Sequence, residues 1–180
     1  TIVDVGFGQA EELDELARVV GESGRVVGIE REEARVNKAT EKLGGIPNIR
    51  VLFGNALDIP LPDRSADCVL LKGVLHEIAK ISKALSEAGR VCNPDGTIVI
   101  VDFMAFPRDW LRNSNLHWRL HHPGPLLSKP MDRHPGFSKT NLEEQLESAG
   151  LRMRAHTESV MTGRFGDHEA PLFFAVAKRS

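Results

Sequence analysis

The stretch TIVDVGFGQA (residues 1–10) predicts a buried β-strand that turns directly into a helix. Its first half is β-branched and apolar apart from Asp4, and Gly6 and Gly8 stand where the strand gives way to the helix. Such a turn can bring a cofactor against bare backbone and against the free N–H groups of a helix start. Two glycines also serve in tight turns that bind nothing, so the rest of the chain must decide between the two interpretations.

Short runs rich in β-branched residues alternate with helical patterns along the first hundred or so residues. The runs typical of strands buried on both faces of a sheet are residues 1–5, 25–30, 49–53, 66–71 and 97–103. Between them we predict a helix that ends at Gly21, a helix over residues 32–43, and a helical stripe that repeats from Val74 to Ala88. This alternation predicts an α/β fold with right-handed crossovers.

The pattern of predicted elements changes in the last forty or so residues. Thr140 and Glu143 resemble a capping box, which places the N-cap of a final helix at Thr140 and its end at Gly150. Residues 151–160 and 171–178 then predict two strands joined by a turn over residues 162–167. Two strands joined in this way form a hairpin, so the last strand is expected to run antiparallel to an otherwise parallel sheet.

Residues 105–137 fit no regular element. They hold five of the ten prolines, both tryptophans and four of the seven histidines, and their Lys, Arg, Asp and Glu residues sum to a charge of +3. We interpret a segment this long as a lid-like insertion that faces the substrate. Its His117 and His121, four residues apart, raise the question of a metal site, but with no evident third ligand we predict no metal.

The composition sets the broad class. A chain of 180 residues with 41% apolar and 27% charged residues is expected to form one domain over residues 1–180. A net charge of -2 provides no broad basic field for nucleic acid, and no apolar run is long enough to cross a membrane. The two cysteines, Cys68 and Cys92, cannot build a disulfide framework, so we expect a cytoplasmic protein.

Two further pieces support a cofactor site. Glu30 ends the second strand, where a carboxylate can accept hydrogen bonds from the hydroxyls of a ribose. After the third strand, Asn55 followed by Ala56 and Leu57 could hold an adenine by one hydrogen bond and by apolar contacts, although an ordinary Asx turn would use the same residues. A third glycine of the nicotinamide type is absent, because Glu11 occupies its position.

Together these pieces resemble a class I S-adenosylmethionine-dependent methyltransferase. The resemblance also rests on Asp67 in the fourth strand, VLHEI (residues 74–78), RVCNPDG (residues 90–96) and FFAVAK (residues 173–178). It is closest to the small methyltransferases related to ubiquinone and menaquinone biosynthesis. It implies a Rossmann-like, doubly wound sheet of seven strands in the order 3-2-1-4-5-7-6, with strand 7 antiparallel.

The resemblance also implies a cofactor, S-adenosylmethionine, with S-adenosylhomocysteine as product. Glu30 would hold the ribose, Asn55 would meet the adenine amino group, and Lys72, which is atypical of the family, would border the methionine tail. The implied cofactor-binding residues are Asp4, Gly6, Phe7, Gly8, Gln9, Glu30, Arg31, Asn55, Ala56, Leu57, Lys72 and Gly73. In this family a helix precedes the first strand, and we expect it to be absent here. The apolar surface left without it could then be covered by another subunit, as in a homodimer.

His76 and Asp102 are the candidate catalytic residues, since both are expected near the carboxyl edge of the sheet. Each also has a structural interpretation, His76 as a packed residue at a helix start and Asp102 as a cap of the turn that follows it. The expected acceptor is a small molecule, anionic or aromatic because of the charge and tryptophans of the insertion, with no membrane or nucleic acid partner. The alternatives are a non-catalytic domain that binds S-adenosylmethionine and, with less support, a nicotinamide-dependent oxidoreductase.

Overall fold

The computed structural model describes residues 1–105, 136–165 and 168–180. Most of the predicted lid-like insertion, including His117, His121 and both tryptophans, therefore lies outside the described residues. Within the described part, seven strands form one sheet. They are β1 (Ile2–Val5), β2 (Val26–Glu30), β3 (Ile49–Phe53), β4 (Ala66–Lys72), β5 (Cys92–Phe103), β6 (Leu151–Phe165) and β7 (His168–Arg179).

The strand order is β3-β2-β1-β4-β5-β7-β6. The first five strands are parallel to one another, and β7 pairs antiparallel with both β5 and β6. The predicted fold class, strand order and antiparallel last strand are confirmed. Because the order reverses between β1 and β4, the carboxyl ends of β1, β2, β3 and β4 border a crevice.

Four α-helices accompany the sheet in the described part of the chain. They are α1 (Glu11–Val20), α2 (Glu33–Leu43), α3 (Ile81–Val91) and α4 (Lys139–Ser148). The buried residues of α1 and α2 form one apolar cluster with Val26, whereas those of α3 and α4 belong to a second cluster that includes Val27. Since successive residues of a strand point to opposite faces, the helices cover both faces of the sheet.

The third helix is shorter than the periodicity predicts. Leu75–Glu77 forms a single 3-10 turn, and α3 begins only at Ile81. Ile78 has an extended backbone, with φ -108° and ψ 125°, which ends the turn. The apolar residues between Val74 and Ala88 belong to two elements, the 3-10 turn and α3, and both bury apolar side chains. Periodicity alone therefore could not show that the helix is interrupted between them.

Three boundaries also differ from prediction. The N-cap of α4 is Ser138, not Thr140, because the Ser138 hydroxyl accepts a hydrogen bond from the N–H of Asn141 at 3.2 Å. Strand β5 begins at Cys92, not Thr97, because Cys92 already pairs with Ala66 of β4. In the hairpin, β6 and β7 stay paired as far as Phe165 and His168, where a turn was predicted.

Strand β7 reaches beyond the sheet. It pairs with β5 only from Leu172 to Ala177, while its earlier residues pair with β6 alone. The unshared part of the hairpin therefore continues past Phe103, the last residue of β5. None of the described helices combines the length and the apolar character that a bilayer span requires.

Candidate functional site

A cavity of about 390 Å³ opens at the carboxyl edge of the sheet. Its floor is the turn between β1 and α1, and its walls come from the ends of β2, β3 and β4. Eleven of the twelve predicted cofactor-binding residues line it, and Leu57 is the exception. The cavity thus brings together side chains that are far apart in the sequence.

The two glycines of the opening turn are needed for different reasons. Gly6 has φ +80°, and a Cβ atom there would lie 2.7 Å from Cγ2 of Val74, so a side chain would close the floor. Gly8 has φ +57° with open space above it. Phe7, between them, packs into the apolar cluster of α1 and α2 and holds the turn against the sheet. The backbone therefore forms a bare surface beneath the cavity.

Glu30 closes β2 and faces the cavity with its carboxylate held by backbone donors. One oxygen accepts hydrogen bonds from the N–H groups of Arg31, at 2.8 Å, and Glu32, at 3.1 Å. The other accepts from the N–H of Gly8 at 3.2 Å and lies 3.7 Å from the guanidinium of Arg35. The side chain is thereby fixed in one orientation, at the junction of the glycine turn and the second strand.

The loop after β3 forms the neighbouring wall. Asn55 Oδ1 accepts a hydrogen bond from the N–H of Leu57 at 3.0 Å, so the Asx turn considered from the sequence is present. Asn55 and Ala56 still line the cavity, and the Asn55 oxygen retains a second lone pair. Leu57 instead packs against the core, because the turn directs it away from the cavity.

A clamp from α3 holds this loop in place. The Arg90 guanidinium donates hydrogen bonds to the carbonyl oxygens of Ile59, at 2.8 Å, and Leu61, at 2.9 Å, and to the carboxylate of Asp63, at 2.8 Å. It also donates to Glu87, whose carboxylate accepts from the N–H of Ile59 at 2.9 Å. A loop with no helix of its own is thus ordered by one side chain.

Asp4 is the unusual group of the cavity. It is only 2% exposed, and among the described residues its Oδ2 atom has no hydrogen-bond partner. The pKa of Asp4 is raised from 3.8 to about 7, mainly by burial; the charges of Glu12 and Glu30 also raise it, and that of Lys72 lowers it. An unpartnered carboxylate in a cavity wall is costly unless a ligand satisfies it.

Two ion pairs bridge the walls of the cavity. Lys72, the last residue of β4, pairs with Glu12 in the first turn of α1. Arg31, after β2, lies 3.4 Å from Glu77 in the 3-10 turn. All four side chains are at least 37% exposed, so both pairs are solvated.

His76 and Asp102, the predicted catalytic residues, form a buried pair that does not line this cavity. His76 Nδ1 and Asp102 Oδ1 are 2.8 Å apart. The Asp102 carboxylate also accepts from the backbone N–H groups of Leu75, at 2.9 Å, His76, at 3.3 Å, and Phe103, at 2.8 Å. Asp102 thus has a structural role as a cap, but of the 3-10 turn at Leu75–Glu77 and not of the turn after β5, and the catalytic role stays a prediction.

The sequence of the domain decides its family. A model of a methyltransferase domain matches residues 1–150. The chain belongs to this methyltransferase family. The assignment implies S-adenosylmethionine as the cofactor, in agreement with the resemblance drawn from the motifs.

Individual relatives of this methyltransferase domain are similar to it over parts of their length. An uncharacterized 37.1 kDa protein in transposon TN4556 of Streptomyces fradiae is 37% identical over 98 residues, 54% of this chain and 28% of that protein. The ubiquinone/menaquinone biosynthesis C-methyltransferase UbiE of Escherichia fergusonii is 31% identical over 106 residues, 57% of this chain and 42% of that enzyme. The matches thus span less than half the length of either relative.

A solved structure extends the similarity over nearly the whole methyltransferase domain. The crystal structure of a SAM-dependent methyltransferase from Aquifex aeolicus superposes with a TM-score of 0.72 and 29% identity. The superposition covers 98% of this chain and 80% of the other. The likeness therefore includes β6 and β7, which follow the residues matched by the family model.

Several cavity residues of the methyltransferase domain were missed from the sequence. Glu12 and Arg35 lie in the first turns of α1 and α2, and Glu77 follows His76 in the 3-10 turn. A helix that starts at a strand end must present its first turn to the crevice, and this was the available signal. In the described part of the chain, no three His, Cys, Asp or Glu side chains gather as a metal site requires.

Proposed function

We propose that this chain binds S-adenosylmethionine in the 390 Å³ cavity and transfers its methyl group to an acceptor. One observation carries the proposal: two buried acids lie beside a bare glycine turn in adjacent strands, Asp4 one residue before the end of β1 and Glu30 at the end of β2. A ligand with hydroxyl groups near Glu30 and a cation near Asp4 would satisfy both, and S-adenosylmethionine has this combination.

At the sugar end, Glu30 fits a ribose. Its oxygens are oriented by backbone N–H groups and by Arg35. Oε1 already accepts two N–H groups, whereas Oε2 accepts one and retains a lone pair for a hydroxyl. Asn55 and Ala56 stand on the adjacent wall, where an adenine attached to that ribose would lie. Since Glu30 needs no rearrangement, this end of the cavity is preorganised.

At the tail end, Asp4 fits an ammonium group. An incoming cation would supply the missing partner of Oδ2 and would favour the ionised carboxylate. When bound, S-adenosylmethionine supplies an already activated methyl group. The chain's own residues then have to bind, orient and exclude water, which can lower a barrier by about 7–11 kcal/mol.

The acceptor is proposed to be a small molecule. The curated relative UbiE is named as a C-methyltransferase of ubiquinone and menaquinone biosynthesis, which supports an aromatic ring carbon as the class to test first. The charge of +3 in residues 105–137 supports an anionic substituent on that ring. We further propose a cytoplasmic location, because Cys68 and Cys92 are both free thiols, and a homodimer as the assembly to test.

Calorimetry on Glu30→Ala tests the cofactor site. We expect the affinity for S-adenosylmethionine to fall by about 1.5–3 kcal/mol, the range for hydrogen bonds to a charged group. Glu33→Ala, an exposed acid in the first turn of α2, is the matched control and should bind as the wild type does. Unchanged affinity in a folded Glu30→Ala variant would exclude the ribose role, and tight binding of NADH would favour the oxidoreductase.

A panel of acceptors then tests catalysis. Anionic and neutral aromatic compounds should be incubated with methyl-labelled S-adenosylmethionine, and labelled product measured. We expect product from at least one anionic aromatic compound. Tight cofactor binding without product from any acceptor class would favour the alternative of a non-catalytic S-adenosylmethionine-binding domain.

A further inference from the structure

We propose that Lys72 is the receptor for the carboxylate of the cofactor's amino-acid tail, and that Glu12 is the partner it releases when the tail binds. The inference rests on the proposed function and assigns a specific role to each member of one ion pair. It involves an exchange of partners only, and no bond is formed or broken.

The Lys72–Glu12 ion pair lies at the edge of the cavity. Lys72 ends β4 and Glu12 lies in the first turn of α1, so the bridge joins the helix that follows the opening turn to the strand that pairs with β1. Both side chains line the cavity. Their exposures are 47% and 37%, which means that water can replace either partner at small cost.

The neighbouring acid carries the second step. Asp4 is unpartnered at Oδ2, and the charges of Lys72 and Glu12 both act on it, since Lys72 lowers its pKa and Glu12 raises it. In an α-amino acid the ammonium and the carboxylate are attached to one carbon. A tail that gives its ammonium to Asp4 must therefore place its carboxylate close to Asp4, where Lys72 is the nearby cation.

The other cations of the cavity are engaged at the sugar end. Arg31 pairs with Glu77, at 3.4 Å, and Arg35 pairs with Glu32, at 2.9 Å, and with Glu30, at 3.7 Å. The start of α1 is a poor substitute as an anion site, because its first turn carries Glu11, Glu12 and Asp14. Among the described cations of the cavity, Lys72 is the one whose charge lowers the pKa of Asp4.

Three ligands isolate the tail in a binding experiment on the whole chain. S-adenosylhomocysteine has both tail charges, its decarboxylated analogue keeps only the ammonium, and 5′-methylthioadenosine has neither. Lys72→Met is expected to lower the affinity for S-adenosylhomocysteine about fivefold, as measured by calorimetry. This is the upper range for an exposed ion pair. Binding of the other two ligands should not weaken.

Two further variants sharpen the assignment. Lys72→Arg keeps the charge and should restore most of the affinity for S-adenosylhomocysteine. Glu12→Gln removes the charge that competes for Lys72, so the affinity for S-adenosylhomocysteine should rise about twofold. The affinity for the decarboxylated analogue should not rise. Lys38→Met makes the same chemical change at an exposed position of α2 outside the cavity, and it should bind all three ligands as the wild type does.

The outcomes separate the two proposals. Equal losses for all three ligands in Lys72→Met, or no loss for S-adenosylhomocysteine, would overturn the role of Lys72 while the cofactor site stands. Failure of the wild type to bind any of the three ligands would overturn the proposed function, and the role of Lys72 with it. Circular dichroism on each variant keeps a folding defect apart from these results.

Discussion

Two buried aspartates at the carboxyl edge of the sheet have opposite surroundings. Asp102, at the end of β5, is fully buried, and its carboxylate accepts four hydrogen bonds, three of them from backbone N–H groups and one from the His76 ring when Nδ1 is protonated. Asp4, on β1, is 2% exposed, and one of its oxygens has no partner among the described residues. The strands that carry them are separated only by β4.

The comparison separates a structural acid from a binding acid. A buried carboxylate with donors on both oxygens stabilises the elements that supply those donors, here the 3-10 turn and β5. A buried carboxylate that lacks donors lowers the stability of the empty protein and gains free energy only when a ligand arrives. The two aspartates should therefore respond in opposite directions to substitution.

The largest effect is expected for Asp102→Ala. Removing the acceptor leaves buried N–H groups of Leu75 and Phe103 without their partner, so the free energy of unfolding should fall by about 3–5 kcal/mol. Denaturant titration measures it. Asp95→Ala, at an exposed position, is the control and should change stability little. A loss below about 1 kcal/mol for Asp102→Ala would erase the difference between the two aspartates.

Asp4→Asn is expected to act in the other direction. The native pKa of about 7 lies above the ordinary value of 3.8, so the unfolded chain releases this proton at lower pH than the folded one. The free energy of unfolding of the wild type therefore falls progressively as the pH rises from about 4 to about 7. The neutral asparagine avoids that loss.

At pH 8 the gain for Asp4→Asn should be on the order of 4 kcal/mol, and it should vanish towards pH 4. Thermal or denaturant unfolding across that range measures it. The same variant should bind S-adenosylmethionine more weakly. A destabilised Asp4→Asn protein at pH 8 would show that Asp4, like Asp102, has a structural role.

A smaller effect tests a third acid, Glu87, whose donors come mainly from one side chain. Hydrogen bonds from Arg90 lower the pKa of Glu87. Its contribution to stability is therefore present above pH 4.5 and is lost as the pH falls through the lowered native pKa. Arg90→Met should destabilise the protein by about 2 kcal/mol at pH 7 and should remove this acid dependence.

The Arg90 clamp also allows a test at the cavity. Because Arg90 orders the loop that carries Asn55, Arg90→Met should lower the affinity for 5′-methylthioadenosine as well as for S-adenosylhomocysteine. Lys72→Met, in contrast, should lower only the affinity for S-adenosylhomocysteine. Arg152→Met, at an exposed position of β6, should do neither. An Arg90→Met protein of unchanged stability and unchanged acid dependence would contradict the role of the clamp.

Local patterns in the sequence predicted the parts of the fold and site that depend on short stretches. The strand and glycine turn of residues 1–10, the position of Glu30 and the hairpin follow from period and turn chemistry. The full set of cofactor-binding residues was implied by the resemblance to class I methyltransferases, and eleven of its twelve members line one cavity. The break before α3 was not predictable from spacing, because it depends on Asp102, which is 27 residues beyond Leu75. The Lys72–Glu12 pair, 60 residues apart, depends on strand order and not on a local pattern.

The hairpin of β6 and β7 and the cavity acids lie in different parts of one sheet. The free end of the hairpin extends past β5, whereas the cavity acids lie on β1 and β2, on the other side of β4. We expect a change in the length of that hairpin to alter the far rim and to leave the Asp4 and Glu30 geometry as it is, because β4 and β5 lie between β1 and β7. One half of the sheet is thus expected to tolerate insertion or deletion while the other half keeps the same contacts.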